Sequence, residues 1–243
     1  MTVVREPAAG PGSPRRSSGR STVRALSTVL IVSGLLLLAD AVLTVVWQEP
    51  LSALYARIQQ DKLDGQLDDL ARQAPTVVDR RALAELPDGD SRLAFAARSL
   101  DRRARAGQPI GRIRIPRVGL SKVVVEGTGT DDLKRGPGHY PATVLPGAPG
   151  TVGIAGHRTT YGAPFRRLDK LRRGDRIAID MPYGTFTYRV ERTRIVAPTA
   201  TEVVRRVGYD RLVLTACHPL YSAAQRIVVF ARQVNAREGG GLI

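Results

Sequence analysis

Cysteine is nearly absent from this sequence of 243 residues, with Cys217 as the single copy. One cysteine cannot form a disulfide within the chain, and the paired C-x-x-C spacing of zinc and redox sites is missing. Aromatic residues are also scarce, at 5% of the sequence, which leaves little to stack against nucleic-acid bases. We therefore expect no nucleic-acid partner. Cys217 is expected to be either a buried, inert residue or one kept for its chemistry.

Familiar cofactor and metal motifs are missing as well. The sequence contains no G-x-G-x-x-G fingerprint, no phosphate-binding loop, no H-E-x-x-H and no internal repeat. The acidic residues after position 170 are too scattered to predict a calcium cluster. We predict neither a cofactor nor a metal site.

Negative charge is in short supply, with 22 Asp+Glu against 37 Lys+Arg and a formal net charge of +15. Such a balance suits an anionic partner such as phospholipid head groups or a cell-wall polymer. The excess is almost entirely arginine, which a GC-rich genome also produces. Charge by itself therefore identifies no partner.

The longest apolar run covers residues 25–47 and is interrupted by one charge, Asp40. A helix of this length spans ~34 Å, enough for a ~30 Å hydrocarbon layer. Arginines precede the run, which predicts a single-pass anchor with a disordered cytoplasmic tail over residues 1–24 and the remainder outside the cell. A cleaved signal peptide, ending near Ala39–Ala41, is the alternative. We favour the anchor because apolar residues continue through Val42–Val46.

Residues 48–108 differ from the sequence on either side. Leucines at roughly helical spacing begin near Pro50, and a second helix is predicted over Ser91–Arg105. A loop is predicted between these helices, over residues 75–90. We interpret residues 48–108 as a helical, flexible extracytoplasmic spacer, with a regulatory arm as the alternative.

Strand patterns dominate residues 109–235, and residues 236–243 are predicted to be a C-terminal tail. Polar and apolar residues alternate over Arg112–Ile115, Arg176–Met181 and Thr185–Val190. Nearly continuous apolar runs, typical of central strands, cover Thr151–Ala155, Leu212–Ala216 and Ile227–Ala231. Short strands bounded by glycine and proline, without helical crossovers, predict a mainly β domain built as a small closed or nearly closed barrel.

Three polar residues stand at the ends of the three most apolar strands. His157 and Cys217 each follow such a strand, and Arg226 precedes the last one. The final two strands are close enough in sequence to form a hairpin, which would bring Cys217 and Arg226 together. A histidine can stabilise the thiolate and then protonate a leaving amine, while an arginine can hold an oxyanion. The pattern suggests cysteine catalysis, although each residue alone has a structural interpretation.

Four sequence blocks carry a resemblance to a known family: LKRGPGHYP at Leu133–Pro141, PGAPGTVGIAGHR at Pro146–Arg158, LDKLRRGDRI at Leu168–Ile177, and RLVLTACHPLYSAAQRIVVF at Arg211–Phe230. In order and spacing they resemble the sortase domain, over residues ~109–234. The AGHR and CHP contexts resemble the class E/D-like sortases of high-GC Gram-positive bacteria.

The resemblance implies an eight-stranded sortase-type barrel with short helices, and a catalytic set of His157, Cys217 and Arg226. It implies cleavage of an LPxTG- or LAxTG-like sorting signal on secreted proteins through a thioacyl intermediate on Cys217. An amine of the peptidoglycan precursor would then accept the protein. The usual T-L-x-T-C run reads VLTAC here, so Val213 and Ala216 replace the two usual threonines, while Thr215 occupies the variable position. Thr215 and Ala216 are expected to be substrate-binding residues.

Two further residues are expected near the substrate groove, His139 and Tyr161, with turn packing as the alternative for His139. His218 follows the nucleophile directly and should point to the opposite face of its strand. Two other functions stay open from the residues alone. One is a hydrolytic cysteine protease, and the other is a non-enzymatic, membrane-anchored module that binds wall polymers with Cys217 buried.

Overall fold

The computed structural model describes residues 18–47, 50–73 and 77–239. The chain divides into two units, Met1–Trp47 and Gln48–Ile243. In the first unit, helix α1 covers Ser18–Trp47 and contains an apolar span, Thr22–Val42, with a mean hydropathy of 2.2. The span is long and apolar enough to cross a bilayer. The helix begins within the segment predicted as a tail, of which residues 1–17 lie outside the described residues.

The second unit is built on a closed barrel of eight strands, which confirms the predicted fold class. The strands are β1 (Pro109–Ile115), β2 (Leu120–Glu126), β3 (Gly138–His139), β4 (Thr151–Ala155), β5 (Arg176–Met181), β6 (Gly184–Val196), β7 (Arg211–His218) and β8 (Gln225–Glu238). Around the barrel their order is β1-β2-β3-β4-β7-β8-β6-β5. The pairs β2–β3 and β4–β7 are parallel, and the others are antiparallel.

The barrel interior holds the main hydrophobic core, to which every strand but the very short β3 contributes. Its fully buried members include Ile113, Ile154, Ile177, Phe186, Leu212, Leu214 and Val229. These residues alternate with outward-facing positions, as the two-residue period of a strand requires. A smaller apolar cluster of Val213, Val228 and Phe230 lies on the outer face of β7 and β8. This outer cluster is packed against Val203 and Val204 of a 3-10 helix, Thr201–Val204.

Among the described residues, four α-helices accompany the barrel: α2 (Pro50–Gln73), α3 (Val77–Ala84), α4 (Gly89–Arg103) and α5 (Thr130–Arg135). The loop predicted over residues 75–90 is wrong in part, because α3 lies within it. Helix α4 begins at Gly89 rather than Ser91, since the Asp88 carboxylate caps it by accepting the Ser91 N–H at 2.7 Å. At the other end of the chain, β8 extends to Glu238, into the segment predicted as a tail.

Helix α2 packs directly on the barrel, so residues 48–108 are more than the predicted spacer. Ala56, Gln60 and Leu63 form its buried stripe, at the spacing of one helical face. The Gln60 amide donates to the carbonyls of Val123 (3.1 Å) and Arg135 (2.9 Å) and accepts the Val123 N–H (2.8 Å). One side chain thus supplies hydrogen bonds to the backbone of β2, where a neighbouring strand would otherwise do so.

Candidate active site

Strand register brings the three predicted catalytic residues to one level of the barrel. In the antiparallel hairpin of β7 and β8, Cys217 is paired directly with Arg226. On the other side of β7, the parallel ladder pairs Ala155 with Thr215 and continues through the Gly156 N–H, which donates to the Thr215 carbonyl at 3.0 Å. Strand β4 ends at Ala155, and the same register extended two residues beyond it places His157 at the level of Cys217. Neighbouring strands lie ~4.8 Å apart, so the three residues form one short row.

The row lies on the outer face of the barrel. Leu212, Leu214 and Ala216 belong to the inner core, so Cys217 has the outward parity of its strand. Arg226 immediately precedes Ile227, which faces the inner core, so Arg226 points outwards. His157 lies three residues after Ile154, which also faces the core, so the same alternation turns His157 outwards. Cys217 is a free thiol and is half-buried. The site is therefore open to a substrate arriving from outside the barrel.

His157 sits in a partly desolvated position. Burial lowers the pKa of its imidazole, because the charged form loses more hydration than the neutral form. Its Nε2 atom is buried and has no hydrogen-bond partner among the described residues. A neutral imidazole with a free ring nitrogen can accept a proton from a thiol and return it to a leaving group.

Arg226 is fixed by the turn between β7 and β8. Its Nη1 atom donates to the carbonyls of Ala223 at 2.9 Å and Gln225 at 3.0 Å. Arg226 as a residue is half-buried, and it has no ion-pair partner within the described ranges 18–47, 50–73 and 77–239. Its charge is thus available to an oxyanion or a substrate carbonyl beside Cys217.

Arg158 is a residue of this site that the sequence analysis did not single out. Its side chain is 3% exposed and donates to the carbonyls of Arg166 (3.3 Å) and Cys217 (3.4 Å), and to the Asp169 carboxylate (3.0 Å). Its Nη1 atom also lies 3.1 Å from Nδ1 of His218, which must then be the unprotonated nitrogen of that ring. Arg158 thus joins the segment after His157 to the backbone of the cysteine strand. Its place beside His157 in the AGHR block was the available signal.

Tyr140 is a second residue that the sequence analysis missed. Its hydroxyl lies 2.8 Å from Oγ1 of Thr215, and its ring covers Gly153, where a Cβ atom would come within 2.8 Å of the ring. Glycine in a buried strand often marks such a close approach. Thr215 shares the outward parity of Cys217, but Tyr140 covers it.

Two predicted substrate-binding residues do not fit the structure in that role. His139 is 0% exposed, and its Nδ1 atom is 2.8 Å from the Glu126 carboxylate while Nε2 contacts Thr143 at 3.0 Å. The alternative of structural packing describes it better. Ala216 is 4% exposed and faces the inner core, so its side chain cannot touch a substrate on the outer face.

The other two neighbours of the row agree better with expectation. His218 follows Cys217 in β7, where side chains alternate between faces, and its Nδ1 atom contacts Arg158. Tyr161 lies against His157, with ring centroids 5.3 Å apart. The row and its surroundings thus combine a thiol, a neutral imidazole and a fixed cation, the groups that acyl transfer through a thioester requires.

Comparison with known proteins matches the barrel to one family. The family model described as "Sortase domain" matches residues 113–234, about half of the chain. Sortase D of Bacillus subtilis is 34% identical over 132 residues, which cover 53% of this chain and 65% of that protein. Sortase SrtE1 of Streptomyces coelicolor is 31% identical over 147 residues, covering 54% of this chain and 42% of that protein. The chain thus spans less than two thirds of either relative.

The solved structures agree with the sequence matches. The structure of sortase E from Streptomyces avermitilis is 35% identical and superposes with a TM-score of 0.51, covering 57% of this chain and 99% of that chain. The similarity therefore extends over the whole of that solved chain.

Proposed function

Because the chain belongs to the sortase family, whose members are cysteine transpeptidases, we propose that it cleaves a sorting signal and transfers the protein to a cell-wall amine. The observation that carries the proposal is the row of Cys217 and Arg226 on paired strands with His157 just past the end of the neighbouring strand β4. The substrates would be secreted proteins ending in an LPxTG- or LAxTG-like signal, and the acceptor an amine of the peptidoglycan precursor.

The first half of the reaction is acylation of Cys217. The thiol proton passes to the imidazole of His157, and the sulfur attacks the carbonyl carbon of the signal's threonine. The carbon–sulfur bond forms and the carbon–nitrogen bond to glycine breaks, while the imidazolium protonates the leaving amine. A low pKa at His157 favours this last transfer, because it makes the imidazolium a stronger acid.

The second half reverses these roles. The acceptor amine attacks the thioester carbonyl, the carbon–sulfur bond breaks, and a new amide forms. His157 takes the proton that the amine loses, and that proton returns to the Cys217 sulfur. Arg226 stabilises the negative charge that develops on the carbonyl oxygen in both halves, from the position fixed by its bonds to Ala223 and Gln225.

We further propose that α1 anchors the enzyme in the membrane as a single span, with a cytoplasmic N-terminus and the barrel outside. The apolar span Thr22–Val42 supports an anchor by its length and hydropathy, and arginines on its N-terminal side support the orientation. This arrangement would hold the active site beside newly exported proteins and membrane-bound wall precursors.

The test uses the full chain in detergent with a quenched fluorescent LAxTG peptide, with and without triglycine as acceptor. We expect cleavage, an acceptor-dependent ligated product, and an acylated protein mass at Cys217. Cys217→Ala should abolish all three. Cleavage that never yields a ligated product with any amine would favour the hydrolytic protease. A Cys217 that is inert to alkylation, with no cleavage across a panel of signals, would favour the non-enzymatic module.

The orientation has its own test, because the chain carries a single cysteine. A membrane-impermeant maleimide should label Cys217 in intact cells, and Cys217→Ala controls for background. Labelling that requires cell lysis would contradict an external barrel.

A further inference from the structure

The first two turns of α2 contact the loop that follows His157. The ring of Tyr55 meets the ring of Tyr161 edge to face, with centroids 6.3 Å apart and an interplanar angle of 72°. Tyr161 in turn lies 5.3 Å from the imidazole of His157 at an angle of 39°. Both spacings fall within the range of attractive aromatic pairs. The helix is thus linked to the catalytic imidazole through one intervening ring.

The backbone of this loop adopts a conformation that its own sequence does not favour. Tyr161, Gly162 and Ala163 have φ angles of 50°, 70° and 39° in succession. The left-handed region suits glycine but is uncommon for tyrosine and alanine. Residues stay in such a conformation when surrounding contacts determine it, so the support for this loop must come from its neighbours.

Helix α2 provides part of that support. The Tyr161 N–H donates to the Ser52 hydroxyl at 3.2 Å. Ala56 is buried at the same contact, and a Cβ atom placed on Gly162 would lie 3.5 Å from the Ala56 methyl group. The loop therefore rests on one face of the helix, through a hydrogen bond, a methyl contact and a ring pair.

The helix can act as a support because it is itself fixed to the barrel. Gln60, one turn beyond Ala56, is bonded to the backbone of Val123 and Arg135. Further along, the Asp64 carboxylate pairs with Arg112 of β1. These contacts hold α2 against β1 and β2, while its first turns reach the loop of β4.

We propose that Tyr55, acting through Tyr161, is a positioning residue for His157, so that α2 is a working part of the active site. The effect of this positioning on catalysis rests on the proposed transpeptidase function. The positioning of His157 by Tyr55 does not depend on that function. Tyr55 touches no reacting atom. Its ring holds the Tyr161 ring against the imidazole and limits the orientations and the hydration of His157.

The experiment measures His157 directly, in the full chain in detergent labelled with ¹³C-histidine. The chain has three histidines, so their NMR signals can be assigned by single substitutions. In Tyr55→Ala, we expect the pKa of His157 to rise towards its ordinary value, since water gains access to the ring. With a cleaved peptide, kcat should fall about 10-fold with KM little changed, because orientation rather than substrate contact is lost.

Matched variants separate positioning from general damage. Tyr55→Phe keeps the ring and should restore both the His157 titration and kcat to within about twofold of the original. Leu54→Ala changes an exposed neighbour on the same helix and should alter neither. If Tyr55→Ala loosens the fold, Tyr161→Gly removes the ring pair at a position where the backbone favours glycine, and it should shift the His157 titration in the same direction.

Unchanged His157 titration in both Tyr55→Ala and Tyr161→Gly would overturn the proposal, and so would Tyr55→Phe behaving like Tyr55→Ala. Failure of the transpeptidase function would appear differently. The original chain would cleave no signal, while the titration of His157 would still respond to Tyr55 and decide the positioning role.

Discussion

The two sides of the row formed by His157, Cys217 and Arg226 are held in place by different means. Cys217 and Arg226 lie in a continuous antiparallel ladder, where backbone hydrogen bonds fix their relative position. His157 lies just past the end of β4, and the loop beyond it depends on side chains from other elements, including Tyr55 and Arg158. The positions of Cys217 and Arg226 should therefore tolerate substitutions of their neighbours. The position of His157 should respond to substitutions at distant residues.

The largest expected effect on activity comes from removing the charge of Arg226, which lies in the antiparallel ladder, while the ladder itself stays intact. Arg226→Gln should lower kcat/KM by about 10²–10³-fold, because the oxyanion loses its cation. The melting temperature should hardly change, since the hydrogen bonds of the side chain to the described residues go to turn carbonyls. Arg232→Gln, on the same strand and paired with Glu191, is the control. Comparable loss in both variants would mean that Arg226 contributes charge in general rather than at the reaction centre.

Arg158 connects the two sides, so its removal tests whether they are independent. Arg158→Met removes the guanidinium that donates to the carbonyls of Arg166 and Cys217 at a part-buried position. We expect the free energy of unfolding to drop by about 2–4 kcal/mol, measured by urea denaturation. Arg167→Met, at the exposed residue of the same segment, should change it by less than about 0.5 kcal/mol. Equal stability of the two variants would rule out a structural link through Arg158.

A third substitution strains the histidine side alone. In Gly156→Ala the new Cβ atom would lie 2.6 Å from the ring of Phe165, which is fully buried. We expect a loss of about 1–3 kcal/mol in unfolding free energy, as for other overpacked sites, together with slower acylation. Gly208→Ala, where the added methyl group meets nothing within 4 Å, is the control. Acylation at the original rate would show that the position of His157 withstands displacement of its neighbours.

The smallest expected effect concerns pH. Burial lowers the pKa of His157 in the folded protein, so the unfolded chain binds more protons from about pH 6.5 downwards to the folded pKa. The contribution of His157 to the unfolding free energy should therefore decline as the pH falls through this window. His157→Gln should remove that part of the decline, seen by comparing urea midpoints of the two proteins at pH 7.5 and pH 5.5. Parallel pH dependence in both proteins would mean that the imidazole is as well hydrated as in the unfolded chain.

The positions of Cys217 and Arg226, in the antiparallel ladder, were more predictable from the sequence than that of His157. The apolar runs of β4, β7 and β8 predicted central strands, and the short connection before Arg226 predicted a hairpin. The level at which His157 meets Cys217 was less accessible, because it depends on parallel pairing of β4 with β7, which are distant in the sequence. Resemblance to the family supplied that association, and strand register now gives its physical basis.

The supports of the histidine side were largely hidden from sequence reasoning. Gln60 is a polar residue on an amphipathic helix. Its position in the sequence does not show whether its side chain is solvated or is hydrogen-bonded to the backbone of another element. His139 was misplaced for a similar reason. Its partner Glu126 belongs to β2, a strand that the sequence analysis did not identify, so the burial of His139 had no visible cause.

Parallel pairing between β4 and β7 also has a consequence for how the enzyme matures. Contacts between distant segments are slow to form, since a long loop must be closed before they are gained. The row of His157, Cys217 and Arg226 needs both such a closure and strand β8, which carries Arg226 and pairs with β6 to close the barrel. A chain that has not yet closed its barrel therefore has no complete row. Catalytic competence should therefore appear late in folding, together with barrel closure.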